Sequence, residues 1–130
     1  MNGAEKIESA EQEIEALKKR ITELEAASVG KERPEIIREA IKEHAEKIPK
    51  EILGEPHRLL PEEIKAQAER ISGLKTAEEP HQRQVAELLQ FAQDKGILNA
   101  VSIIKEINDP HLEDDFHDAL AQFFQGIKNV

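Results

Sequence analysis

Apolar residues recur every seven places at the start of the chain, at Ile7, Ile14 and Ile21, each followed three places later by Ala10, Leu17 and Leu24. These are the a and d positions of a helical seam, and Ile at a with Leu at d favours two parallel strands of a coiled coil. In a parallel, in-register pair each g residue faces the e residue five positions on. That matches Lys6 with Glu11, Glu13 with Lys18 and Arg20 with Glu25, and all three pairs attract. Antiparallel pairing gives no comparably consistent set. Asn2 and Glu5 form a capping-box start near Gly3, the seam runs to about Ala27, and Val29-Gly30 is a stop signal. About 25 residues at ~1.5 Å each give an arm on the order of 35–40 Å long. Short isolated helices are costly to nucleate, so three heptads leave the arm to close on its twin, on another protein or back on its own bundle.

Beyond the seam the apolar spacing becomes that of amphipathic helices. Pro34 suits the first turn of a second helix with Ile36, Ile37, Ala40, Ile41, His44, Ala45 and Ile48 on one face; Pro49 ends it. Its other face offers Glu43 with Lys47 and Glu46 with Lys50 in the favourable i, i+4 order. Three prolines and a glycine make residues 49–61 a loop with at most a short helical turn. Ile52, Leu53, Leu59 and Leu60 are too many to leave in water, so this loop folds over a core or a partner. A third helix starts at Pro61 and presents Ile64, Ala68, Ile71 and Leu74, weakening at Gly73.

Thr76 with Glu79, or Pro80 at a first helical position, opens a fourth helix carrying Val85, Leu88, Leu89 and Ala92 and stopping at Gly96. The fifth, from Ile97 to Ile107, is apolar over so wide a girth that it belongs at the centre of the core. Asp109 as N-cap and Pro110 at N1 start the last helix, which runs to about Gln125 with Leu112, Phe116, Ala119, Leu120, Phe123 and Phe124 on one stripe. The expected fold is all-α: an N-terminal coiled-coil helix followed by a compact multi-helix bundle. Residues 1–30 form the oligomerisation arm and 31–130 the bundle, the latter divided into a helical hairpin with its Pro-rich loop (31–79) and a three-helix unit (80–130).

Composition narrows the function. The net charge of −9 is spread as −3 over residues 1–30, −2 over 31–79 and −4 over 80–130, without the clustered basic footprint of a nucleic-acid binder. The chain has no cysteine, which removes disulfides, thiolate catalysis and Cys-ligated zinc. Neither a basic leader with an apolar stretch nor a window approaching ~20 apolar residues is present, so no membrane insertion and a cytoplasmic location are expected. Phosphate-loop, nucleophile-elbow and zinc-protease motifs are also missing.

One segment, 111–118, is dense in polar groups. On a helix His111 and Asp115, Glu113 and His117, and Asp114 and Asp118 are i, i+4 neighbours, while Asp114 and His117 are i, i+3. Such spacings can direct imidazole and carboxylate to one metal, although no second helix supplies the matching Glu and His residues that di-metal bundles use. The candidate ligands are His111, Asp114, Asp115, His117 and Asp118. Carboxylates in a first helical turn also complement the helix dipole without any ligand. His117-Asp118 resembles the dyad of HD-type phosphohydrolases over those two residues alone. His44 reads as a packed residue, and His57 and His81 as turn residues, with His81 within possible reach of the acidic segment.

The strings Asn-Asp-Pro-His-Leu and Asp-Asp-Phe-His-Asp-Ala-Leu, within residues 92–120, resemble a segment of small bacterial proteins associated with type IV secretion and conjugation gene neighbourhoods. That resemblance implies a bacterial, secretion-associated accessory role. Together the sequence points to a non-enzymatic adaptor without cofactor. It homodimerises in parallel through Ile7, Ile14, Leu17, Ile21 and Leu24, with Lys6, Glu11, Glu13, Lys18, Arg20 and Glu25 flanking, and presents an acidic bundle to a protein partner. The alternative is a metal-dependent enzyme or metal-regulated protein using the 111–118 segment.

Overall fold

The computed structural model describes residues 6–27 and 30–126 and is helical throughout, with no strand among them. Seven helices follow in order: α1 (Ala10–Ala27), α2 (Arg33–Ala45), α3 (Pro49–Ile52), α4 (Pro61–Ser72), α5 (Gln82–Lys95), α6 (Ile97–Ile107) and α7 (Pro110–Gly126). The Asn2–Glu5 cap and the Val29 stop expected for the arm lie outside the described residues.

The first helix begins later than the heptads suggest. Ser9 Oγ accepts the Gln12 N–H at 3.2 Å and Gln12 Oε1 accepts the Glu8 N–H at 2.6 Å, a variant of the capping box that satisfies two otherwise orphaned donors. Just before that cap, Ile7 pairs with another segment through its backbone. Ile7 donates to the Ile52 carbonyl at 2.7 Å and accepts from the Gly54 N–H at 2.8 Å, forming a single parallel bridge with Leu53. Ile7 therefore stands outside the helical seam.

Nor does α1 project as a free arm: Leu17 and Ile21 are 2% and 0% exposed within the single chain. They join one core with α2, the centre of α6 and the Phe116 face of α7. Glu13 pairs with His44 and Glu25 with Arg33, so α1 and α2 run antiparallel as a hairpin. Ala10, Leu17 and Ile21 of the seam expected to meet a second copy are thus covered by the chain's own bundle, while Ile14 and Leu24 are only partly buried. The seam's charges are redirected likewise. Arg20 grips Glu43 through two nitrogens at 2.8 and 3.2 Å, Lys18 meets Glu15, and Glu25 meets Arg33.

The central place expected for the fifth amphipathic segment is observed. As α6 it touches α1, α2, α4, α5 and α7, and Ile97, Leu98, Ala100, Val101, Ile103 and Ile104 are all buried. Asn108 ends it in the left-handed region (φ 61°), which Asn tolerates better than most residues. Asp109 Oδ1 then accepts the His111 and Leu112 N–H groups at 3.1 and 3.3 Å, capping α7 as its sequence predicts. The fourth segment starts later than expected: Thr76 Oγ1 accepts the Glu79 N–H at 3.0 Å, but this closes a turn, and α5 opens only at Gln82.

Candidate functional site

Three polar centres and one groove stand out. The most enclosed surrounds the Glu13 carboxylate, which is 0% exposed. Its Oε1 accepts the Ile97 N–H at 2.9 Å, its Oε2 accepts the Leu98 N–H at 2.8 Å, and His44 Nε2 lies 2.6 Å from Oε2. The geometry answers a specific need of α6. Its N-cap residue is Gly96, at φ 108°, with no side chain to satisfy the first N–H groups of a buried helix. Glu13 supplies the missing acceptor from α1 and adds a negative charge at the positive end of the helix. Only glycine suits position 96: a Cβ there would lie 2.7 Å from Glu13 Oε1 and 2.8 Å from His57 Nε2. His57 Nε2 itself is buried without a partner among the described residues.

The second centre joins the start of α5 to that of α7. His81 Nδ1 lies 2.8 Å from Asp115 and Nε2 lies 3.1 Å from Asp109. Burial pushes the Asp109 carboxyl up. Hydrogen bonds from the Leu112 N–H, His81 and the His111 N–H outweigh this and hold it below the ordinary carboxylate range.

The third is a cleft between α2 and α7, lined by Glu35, Arg38, Lys42, Asp114, His117 and Asp118. Arg38 pairs with Asp118 at 2.9 Å across it. Burial holds His117 below the usual imidazole value, and Lys42 adds to this against the opposing pull of Glu113, Asp114 and Asp118. The 111–118 segment is therefore split between surroundings: Asp114, His117 and Asp118 face α2, Asp115 turns to His81, and His111 is exposed. Among the described residues no group of three or more His, Asp or Glu side chains converges as a metal site would require.

The groove runs between α4 and α6. Ile48 and Leu60, 54% and 57% exposed, are the two large apolar side chains the bundle leaves in water among the described residues. Both line one depression with Leu59 and Ile64, and a second depression adjoins it through Pro61 and Ile64. The Pro-rich loop thus divides its apolar residues, since Leu53 is 0% exposed while Leu60 stays outside. Asn99, only 1% exposed, fixes this loop to α6: its Oδ1 accepts the Leu59 N–H at 3.2 Å, and its Nδ2 donates to the His57 carbonyl at 2.9 Å and the Lys95 carbonyl at 2.7 Å.

Sequence reasoning treated Glu13 as a solvated seam charge and missed Asn99 altogether. One signal was present: Gly96 precedes the most apolar segment without Ser, Thr, Asp or Asn to cap it, which calls for an acceptor from elsewhere in the fold. No family model matches the chain, and neither the curated proteins nor the solved structures yield a match.

Proposed function

We propose that this chain is a non-enzymatic interaction protein that acts through the rim of the groove between α4 and α6. The observation that carries the reading is the paired exposure of Ile48 and Leu60 in one depression, beside backbone that Asn99 anchors at His57 and Leu59. Single exposed apolar residues need no explanation, but neighbouring ones lining a concave surface on a pinned backbone are what a docking site requires. The resemblance of residues 92–120 to small secretion-associated proteins supports seeking the partner in such a bacterial system. A photo-crosslinking residue in place of Ile48 or Leu60, introduced in the native host, tests this against one at exposed Glu23 on α1, outside the groove. Protein adducts at the two groove positions and none at 23 are expected. Equal labelling at all three, or none at the groove, would overturn the reading.

Homodimerisation through the heptads is the competing reading. What favours it is that Ile14 and Leu24 remain only partly buried on the bundle, leaving part of the seam within reach of a second copy.

A further inference from the structure

We infer that the groove receives an acidic, apolar segment of another protein; this rests on the interaction reading above and names the chemistry of the partner. The chain carries 27 acidic against 18 basic residues. The two depressions of the groove invert that balance. Lys50, Arg58, Lys65 and Lys105 line them against the carboxylate of Glu106, and a third depression farther along the same two helices shares Lys65 and Glu106 and adds Glu69. Among the described residues none of these four cations is paired with a carboxylate, although seven Lys or Arg ion pairs are formed elsewhere. A fifth cation reinforces one end: Lys6 Nζ donates to the Lys50 carbonyl at 3.2 Å, and Arg58 Nη1 donates to the same oxygen at 3.3 Å.

Unneutralised cations around an apolar floor favour a ligand that brings carboxylates and apolar side chains together. The carboxylates relieve the mutual repulsion of the lysines and steer the encounter, while covering Ile48, Leu60 and Ile64 removes apolar surface from water. A segment lying between two helices in this way uses the helix-in-groove mode. A small anion would leave the apolar floor uncovered. An anionic bilayer supplies both signals, but it presents a broad surface to a concave site and meets the rest of a molecule with net charge −9.

Selection from a random peptide display library against the full chain provides an unbiased test. Enriched peptides should combine Asp or Glu with Leu, Ile or Phe. Their affinity should fall about tenfold in the exposed-site variant K65E/K105E, be lost in I48S/L60S, and weaken with added salt. Circular dichroism checks that each variant is folded. Enrichment of neutral or basic peptides that still depend on Ile48 and Leu60 would overturn the acidic partner while leaving the interaction reading intact. No enrichment, or binding unchanged in the variants, would overturn both. Phosphatidylserine vesicles form a separate arm: capture by the wild-type chain and release by K65E/K105E, without acidic peptide binding, would reassign the groove to a membrane surface and overturn the proposal.

Discussion

A carboxylate withdrawn from water is tolerable only when charge-assisted hydrogen bonds replace its hydration, and Glu13 has three such partners. Removing it leaves two buried N–H groups and an imidazole without an acceptor. Glu13→Ala should cost on the order of 3–5 kcal/mol, read as a shift in the urea midpoint. Glu13→Gln should lose less, because its amide oxygen still accepts one N–H. Equal stability of the alanine variant and the wild type would show that α6 needs no cap from α1. His117 makes a second prediction. Its folded-state value is lowered by burial, so between the ordinary imidazole value of ~6.5 and the folded one the unfolded chain binds more protons. Stability therefore falls as pH drops through that window. Urea midpoints from about pH 7 to pH 5 should decline less steeply in His117→Gln, and an unchanged slope would count against it. Asp109, lowered in the fold, contributes above about pH 4 and loses its contribution as pH falls through its folded value.

At the scale of the element, α1 shows how one apolar stripe can satisfy two different partners. Positions 10, 14, 17, 21 and 24 face a twin in a coiled coil and face α2, α5 and α6 in the bundle equally well, because both interfaces ask for apolar side chains at i, i+3 and i+4. Periodicity therefore established the helix but not what covers it. The deciding residue lies beside the stripe. Glu13 is a g position by heptad, and its burial is made favourable by partners distant in sequence, His44 and the Ile97 and Leu98 N–H groups; local spacing carries no trace of that distance. Features set by neighbours in sequence were legible, as Asp109 capping α7 and the girth of α6 demonstrate. The divided fate of His111, Asp114, Asp115, His117 and Asp118 was not, because it depends on which helix packs against each side of α7. If α1 belongs to the bundle, Leu17→Ala and Ile21→Ala should each destabilise the fold by about 2–5 kcal/mol. Their thermal midpoints, like that of the wild type, should be independent of protein concentration. Midpoints that rise with concentration would instead indicate a coil between chains.

For the whole molecule, fold-back and coiled coil compete for the same surface. A parallel coil would recover much of the apolar burial of Leu17 and Ile21, worth roughly 1.5–3 kcal/mol each, together with its flanking charge pairs. It would strip α6 of its acceptors, however, and leave His44 in an apolar core without Glu13. Three heptads would have to offset that loss as well as the entropy of association, about 4 kcal/mol or more. The full chain should accordingly sediment as a monomer, and a chain beginning at Lys31 should lose its cooperative unfolding transition because the α6 N-terminus is left bare. The opposite pair of results, a dimer for the full chain and a truncated chain that still unfolds cooperatively as a monomer, would return α1 to the role its heptads advertise. In that case Glu13→Ala should leave the bundle's stability unchanged, so the residue-scale measurement and the sedimentation experiment must agree.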